Sequence, residues 1–428
     1  MMFDILKNKL NALGADAWEL TETAETRWEF YFIRHELDQN RAVNLKNCGV
    51  KVYKSIEGGA FMGSAYAEFA PTLSENEIDK MLSELLFRAS LVKNRPYTIA
   101  AKPVTAEEKR GSVDIESITE GFIRAVRSVH ETETEDINSY ELFVSEKRKR
   151  FLNSNGVEFS AVYPKSMLEI VLNARNGGHE IELYRAFNSG SCNPEKTAED
   201  IASALRYGKD RLLAVPTPDP GKIDVVFSTS DSVPIYEYFL DRMNSSYKVR
   251  RMTDWEPFKP ISEEQSGDRI SIESLRSLAD SSCDYPVDDE GQEIKSGYII
   301  KDGVAESFWG SRQFNEYLGV EGSDVLNFRA SGGTLAGDEL RFGDYIEPVE
   351  FSDFQVDSVT GSIAGEIRLA YLHRNGETLI VTGGSVSGDM GEALKTMKMS
   401  KELKQYDNAV IPSVTRLSGL RLNGAGGE

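Results

Sequence analysis

The sequence predicts an α+β protein of two domains, residues 1–217 and 218–428. Its 428 residues are too many for one hydrophobic core, so two domains are expected. The first half mixes helical and strand patterns, whereas most of the second half has strand patterns. Between them, VPTPDPGK at 215–222 has three prolines and one glycine in eight residues, which is typical of a linker. We expect an N-terminal domain with helices and a sheet, followed by a β-rich C-terminal domain.

The first domain opens with an amphipathic helix pattern that begins at the first residue and repeats Leu6, Leu10 and Leu13. Two strand patterns follow, WEFYFIRHEL and CGVKVYKSIEGGAFMGSAYAEFA. The Gly58-Gly59 pair favours a turn that makes the second pattern a hairpin.

The next pattern is helical. Ser74 is the expected N-cap, and Glu77 three residues later completes a capping-box pattern. The apolar stripe of this helix consists of Ile78, Met81, Leu82, Leu85 and Leu86. SITEGFIRAVRSV predicts a second helix. Strand patterns then fill 138–189 with a tight turn at Asn155-Gly156, and 194–214 is again helical.

The second domain begins with the strand pattern KIDVVFST and a helix pattern over 232–243, VPIYEYFLDRM preceded by its expected N-cap, Ser232. Pro234 suits the first turn of this helix. One continuous apolar face is formed at helical spacing by Tyr236, Phe239, Leu240 and Met243. Glu237 and Asp241 lie side by side on its flank. The residues alone therefore favour a core helix over a catalytic one.

Charge and cysteine content narrow the classes of function. The net charge is −20, and such an acidic chain is expected to repel nucleic acid and anionic lipid. The short basic run EKRKR at 146–150 reads as part of a strand or a turn. No window approaches 18 uninterrupted apolar residues, and the first residues lack the features of a signal peptide. Three scattered cysteines fit a reducing compartment, so we expect a cytoplasmic protein.

Other candidate sites are weakly supported by their spacing. Cys48, Cys192 and Cys283 form no CxxC pair, and no two histidines lie within forty residues, so a local zinc motif is not expected. The acidic run Asp284, Asp288, Asp289 and Glu290 could hold a hard cation, but it fails the EF-hand spacing, and a solvated loop is favoured.

Glycine-rich and nucleophile motifs are supported no better. The glycines Gly383, Gly384, Gly388 and Gly391 precede a helix, for which a strand-to-helix turn is favoured over a phosphate cradle, because no GxxxxGK[ST] is present. The chain has no G-x-S-x-G elbow and no GxGxxG in a βαβ context, so hydrolase and dinucleotide folds lack support.

Several segments resemble the TldD/PmbA family, whose members are also called modulators of DNA gyrase. In the first half these are GVKVYKSIEGGAFMGSAYAEFA, similar to the family's paired strands, and FLNSNGVEFS, similar to its Asn-x-x-Gly turn. In the second half they are YPVDDEGQEIKSGYIIKDGVAESFWGSRQFNEYLG, VDSVTGSIAGEIRLAYLHRNGETLIVTGGSVSGDM and VIPSVTRLSGLRLNG. Each segment is weakly specific, but together they follow the family order across nearly the whole chain.

The resemblance also places a metal site. TldD-type members carry a His-Glu-x-x-x-His helix whose histidines hold zinc with a distant cysteine, and whose glutamate acts on the bound water. Here Tyr236 and Asp241 stand at the two histidine positions, and only Glu237 agrees. GGSVSGDMGEAL, where the third ligand is expected, has no cysteine. The chain therefore resembles the TldE (PmbA) branch, which lacks the zinc motif, and no cofactor is expected in it.

The resemblance implies a non-catalytic subunit. Its partner would be a zinc-bearing TldD-like chain, and the pair would degrade or process extended peptides. Two alternatives remain open: a peptidase or hydrolase with a degenerate or different site, and a stand-alone homodimeric peptide-binding protein. Nothing in these acidic residues indicates contact with gyrase.

Overall fold

The computed structural model describes residues 2–104 and 112–426. Met1, where the predicted first helix begins, lies outside the described residues, as do the final two positions of the predicted second domain. The helices of the first half are α1 (Met2–Ala12), α2 (Glu75–Ser90), α3 (Ile115–Ser128) and α4 (Pro194–Leu213). Its strands are β1 (Ala17–Ile33), β2 (Glu36–Ile56), β3 (Phe61–Phe69), β4 (Glu135–Asn153), β5 (Glu158–Asn176) and β6 (His179–Ser189).

These strands form one antiparallel sheet in the order β3-β2-β1-β4-β5-β6. Apolar side chains of β1 such as Trp18 and Leu20 pack with α1 and α2, and Phe32 packs with α3 and α4. Because side chains alternate along a strand, the intervening residues of β1 face the other way. That second face is polar: on β1 it carries Glu19, Glu25, Arg27, Glu29 and Tyr31.

Most predicted elements of the first half are confirmed. Ser74 and Glu77 form the predicted capping box at the start of α2, and Gly156 has the positive φ of 83° that a tight turn requires. Leu13 departs from its prediction, because α1 ends at Ala12 and Leu13 is 41% exposed. WEFYFIRHEL is likewise wrong as a single strand, since a turn at 34–35 divides it between β1 and β2.

The basic run 146–150 lies inside β4, where its cations are paired. Lys147 lies 3.4 Å from Glu25, Arg148 bonds Glu146 within the run, and Arg150 lies 2.6 Å from Glu158. Lys149 pairs with Asp289 of the second half. The run therefore serves the sheet and its contacts.

The second half is β-rich, as predicted. Its helices are α5 (Val233–Arg242), α6 (Ser245–Val249), α7 (Arg312–Leu318) and α8 (Met390–Leu394). Its strands are β7 (Val215–Pro216), β8 (Gly221–Phe227), β9 (Ser271–Leu275), β10 (Gly297–Lys301), β11 (Val304–Ala305), β12 (Asn327–Ser331), β13 (Tyr345–Val356), β14 (Ser362–Arg374), β15 (Glu377–Thr382), β16 (Ser385–Asp389), β17 (Lys398–Met399), β18 (Leu403–Tyr406), β19 (Ala409–Pro412) and β20 (Thr415–Asn423).

Two further sheets organise these strands. One has the order β11-β10-β9-β12-β19-β18. In the other, neighbouring strands follow the order β13-β8-β20-β16-β14, and β14 pairs back with β13, so these strands close into a ring. Outside the ring, β15 pairs with β14 and β7 pairs with β15. The main core of the second half lies between these sheets and includes most of α5. The α+β class is therefore confirmed.

The predicted linker is more ordered than its composition suggested. Val215 and Pro216 form β7, which pairs with β15. Thr217 is 2% exposed, and its hydroxyl donates to the carbonyl of Gly383 at 2.7 Å. A proline-rich segment can join a sheet at its edge, where a missing N–H leaves no ladder bond unmade. The domain boundary at 217/218 stays a prediction.

Candidate functional site

The helix α5 follows β8 directly, as predicted, after one 3₁₀ turn at Ser230–Ser232. Ser232 is the N-cap by position, but its hydroxyl makes no capping bond to the helix. It donates instead to the carbonyl of Thr229 at 2.7 Å. The 3₁₀ turn thus replaces the predicted serine cap, and Pro234 occupies the first helical turn as expected.

This helix is buried on most of its circumference. The predicted stripe of Tyr236, Phe239, Leu240 and Met243 is confirmed, with no member more than 6% exposed. Ile235 and Tyr238 are buried as well, and Tyr238 and Phe239 contact the ring of Trp255. A helix that is apolar nearly all round belongs to a core. The structure therefore gives α5 a packing role.

Tyr236, which the resemblance sets at the position of the first zinc histidine, is completely buried. Its hydroxyl lies 2.5 Å from the hydroxyl of Thr415 on β20, which is also completely buried. Burial raises the pKa of Tyr236; the bond to Thr415 opposes the rise, and Asp268 adds to it. The side chain is thus a neutral phenol whose hydroxyl already has a partner.

Glu237 and Asp241 occupy a different environment. Glu237 is exposed, and Asp241 is partly buried and accepts a hydrogen bond from the Ser358 hydroxyl at 2.8 Å. Partial burial of the carboxyl group, and then the Asp241 carboxylate, raise the pKa of Glu237. Burial also raises the pKa of Asp241, against the effect of Ser358. Glu237 and Asp241 are therefore two neighbouring carboxyl groups, one helical turn apart on α5.

These residues do not fit a zinc ion. Zinc sites in proteins use thiolate, imidazole or carboxylate ligands that converge on one point, and a neutral phenol is not among the usual set. Positions 236 and 241 are five residues apart, about 140° around a regular helix, and here one faces Thr415 and the other Ser358. Within residues 2–104 and 112–426, no group of three or more His, Cys, Asp or Glu side chains is arranged to hold a metal.

The acidic run at 284–290 differs from the predicted solvated loop. Asp288 is 1% exposed and accepts hydrogen bonds from the backbone N–H groups of Glu290 and Gln292 at 3.0 and 2.9 Å. Glu290 lies 3.2 Å from Lys51. Asp288 is buried and Glu290 partly buried because the loop lies against the first sheet, a tertiary contact that local spacing does not encode, whereas Asp289 stays exposed as predicted.

The strand-to-helix turn expected for the glycines at 383–391 is only partly right: Gly383 and Gly384 turn the chain from β15 into β16, Gly388 lies within β16, and only Gly391 lies in α8. Asp389 ends β16 and caps α8 by accepting a hydrogen bond from the N–H of Glu392 at 3.0 Å. The backbone of 423–425 packs against Gly384 too closely for a side chain there. Close backbone packing therefore explains why position 384 is a glycine.

Sequence reasoning did not find Thr415 and Ser358, the two residues that bind the side chains of Tyr236 and Asp241. Both lie in segments that resemble the family, VIPSVTRLSGLRLNG and VDSVTGSIAG, but the resemblance gives neither hydroxyl a role and both are far along the chain from α5. Only the strand pairing that brings β20 beside β8 places Thr415 near the helix.

Comparison with known proteins relates the second half of the chain, which contains α5, to a protein family. Residues 220–424 match the family model described as the PmbA/TldA metallopeptidase C-terminal domain. The C-terminal half of this chain belongs to the PmbA/TldD family. This confirms the resemblance to the family read from the sequence, and it relates the matched region to metallopeptidases. A protein from Archaeoglobus fulgidus named a metalloprotease is 24% identical over 214 residues. That alignment covers 45% of this chain, which spans about half (49%) of the relative's length.

Solved structures extend the likeness to the fold of the whole chain. A protein from Thermotoga maritima described as a modulator of a DNA gyrase has a TM-score of 0.76 at 16% identity, covering 98% of this chain and 99% of that one. TldE from Thermococcus kodakarensis has a TM-score of 0.75 at 14% identity, covering 99% and 100%. A modulator of DNA gyrase from Bacteroides thetaiotaomicron has 0.79 at 15%, covering 99% and 98%. The chain thus has the fold of these proteins. In its described part, no helix is long and apolar enough to cross a membrane.

Proposed function

We propose that this chain is a TldE-like, non-catalytic subunit of a cytoplasmic zinc metallopeptidase complex. In this proposal a TldD-like partner carries the His-Glu-x-x-x-His helix and the zinc, and the pair, a heterodimer, degrades or processes extended peptides. The present chain brings no cofactor of its own.

One observation carries the proposal. By the resemblance, Tyr236 corresponds to a histidine of zinc-bearing TldD-type chains, and its hydroxyl is bound to Thr415 inside the core. A buried, hydrogen-bonded tyrosine in place of a ligand stabilises the core and does not bind metal. The fold shared with TldE supports the same assignment.

The test is reconstitution with a TldD-like chain, the homologue, that carries the His-Glu-x-x-x-His motif. Each chain is purified alone, zinc is measured by elemental analysis after dialysis against a weak chelator, and both are assayed on an unstructured fluorogenic peptide. We expect stoichiometric zinc in the homologue only, co-elution of the two chains, and cleavage that needs both. The glutamate of the homologue's motif changed to Gln should abolish cleavage.

The matched control is Glu237→Gln in this chain, which should leave cleavage by the pair unchanged. Cleavage by this chain alone, lost in Glu237→Gln, would instead identify an active hydrolase that uses the Glu237–Asp241 pair. About one zinc per isolated chain would overturn the proposal directly.

A further inference from the structure

The segment 285–292 lies directly on the polar face of the first sheet. The ring of Tyr285 stands 4.9 Å from that of Tyr163 on β5, and Lys149 on β4 lies over Tyr285 at 5.2 Å from its centroid. Gly291 touches Phe151 so closely that a Cβ would overlap its ring. The two halves of the chain therefore meet here without space for a layer of water.

A lysine between two carboxylates sits inside this contact. Lys51 Nζ on β2 lies 3.8 Å from Glu19 Oε2 of β1 and 3.2 Å from Glu290 Oε1 of the second half. The hydroxyl of Tyr53 donates to Glu19 Oε2 at 2.7 Å. Glu19 is only 5% exposed. The ammonium group of Lys51 thus forms ion pairs with one carboxylate from each half of the chain.

A second acidic group lies beside the first. The N–H of Asp324 lies 3.4 Å from a carboxylate oxygen of Asp288, and Asp289 pairs with Lys149. The cluster contains two lysines, Lys51 and Lys149, and five acidic residues: Glu19, Asp288, Asp289, Glu290 and Asp324. The Asp289 carboxylate is exposed, but Glu19 and Asp288 are buried and Glu290 and Asp324 partly buried, so ionising all four of these is costly.

Three carboxyl groups of the cluster, Glu19, Asp288 and Asp324, have pKa values raised chiefly by burial. Burial raises the pKa of Glu19 to about 7, and Glu290 and Asp288 add to the rise, while Lys51 and Tyr53 oppose it. Burial likewise raises the pKa of Asp324 to about 7, reinforced by Asp288, Glu290 and Asp289 and opposed by Lys149. The phenols nearest these groups, Tyr53, Tyr97 and Tyr285, have raised pKa values, chiefly from burial, and stay neutral in this range.

We propose that this carboxylate–lysine cluster is a proton-operated latch between the two halves, closed when it holds a proton and loosened when the proton leaves. The sign follows from the direction of the shift. A carboxyl group with a raised pKa binds its proton more tightly in the closed contact than in water. The contact is therefore fully stabilised below the ordinary carboxyl range and weakens as pH rises towards 7.

The size of the effect follows from linkage. For a carboxyl group whose pKa changes from an ordinary 4.5 to about 7 in the closed contact, the opening equilibrium increases about tenfold between pH 6 and 8.5. A second such group, Asp324, increases the change further. A contact held by paired arginines would not respond in this range.

Hydrogen exchange of the intact protein tests the latch at pH 6, 7 and 8.5, with rates corrected for intrinsic exchange. We expect protection in 285–292 to fall about tenfold or more across this range, while strands β14 and β16 keep theirs. Glu19→Gln should flatten the dependence, and Asp324→Asn should reduce it if Glu19→Gln fails to fold.

Glu29→Gln is the matched control. Glu29 is also a buried carboxylate on the same face of β1, but it pairs with Arg27 at 2.7 Å and Arg41 at 3.0 Å. It lies outside the latch, so this variant should keep the full pH dependence. Flat exchange in the parent protein, or an unchanged slope in both Glu19→Gln and Asp324→Asn, would overturn the proposal.

Discussion

The hydrogen bond between Tyr236 and Thr415 makes a sharp prediction about the role of α5. Both residues are completely buried, and their hydroxyls lie 2.5 Å apart. Tyr236→Phe leaves the Thr415 hydroxyl without a partner, and Thr415→Val does the same to the tyrosine. An unsatisfied buried hydroxyl costs about 1–3 kcal/mol, so each single variant should lose that much free energy of unfolding.

The double variant shows whether the two hydroxyls stabilise the core as a pair or independently. When both partners are replaced by apolar groups of similar shape, the change can be nearly neutral. Tyr236→Phe combined with Thr415→Val should therefore cost less than the sum of the singles, by about 1–3 kcal/mol. Urea unfolding followed by tryptophan fluorescence gives the three values, provided that the m-value stays constant. Additive losses, or single variants within about 0.5 kcal/mol of the parent protein, would refute a packing role for this hydrogen bond.

Three further outcomes are expected. Phe239→Asp should lower the melting temperature far more than Glu237→Gln, because it buries an unpaired charge in the core, whereas the exposed Glu237 change should stay within about 0.5 kcal/mol. Tyr236→His combined with Asp241→His should yield no chelator-sensitive peptidase activity in this chain alone, because two imidazoles facing different surroundings still lack a third ligand; such activity would reveal a third ligand close to α5. Glu19→Gln should raise the free energy of unfolding at pH 8 by up to about 3 kcal/mol and have little effect at pH 4, from about 1.4 kcal/mol per pKa unit; equal urea curves at pH 8 would contradict this.

Local signals in the sequence predicted most elements of the fold. The capping box at Ser74 and the stripe of α5 are both encoded by residues within a few positions of each other, and both are confirmed. The linker at 215–222 was harder, because its prolines indicate a break while its partner strand, β15, lies far along the chain. The composition of this segment predicts that it cannot form a long regular element. It does not predict which strand the segment will pair with.

The candidate site shows the same division. That Tyr236 cannot serve as a usual zinc ligand follows from its chemistry, so the sequence was sufficient for that conclusion. Its partner Thr415 could not be predicted, because a threonine in a strand gives no signal until the sheet order is known. Asp288 was predicted to be solvated but is buried. The prediction used only the neighbouring charged residues, whereas the sheet that covers Asp288 comes from a distant part of the chain.

The closed ring of strands has a consequence for how the chain reaches its native state. Strand β8 lies between β13 and β20, and residues 228–414 separate it from β20 in sequence. During synthesis β8 therefore keeps one unpaired hydrogen-bonding edge until the ribosome has released β20. Contacts of such long sequence separation form slowly, and an open apolar edge invites pairing with other chains. We expect nascent or truncated chains that end before residue 415 to depend on chaperones, even though the finished ring leaves β8 no free edge.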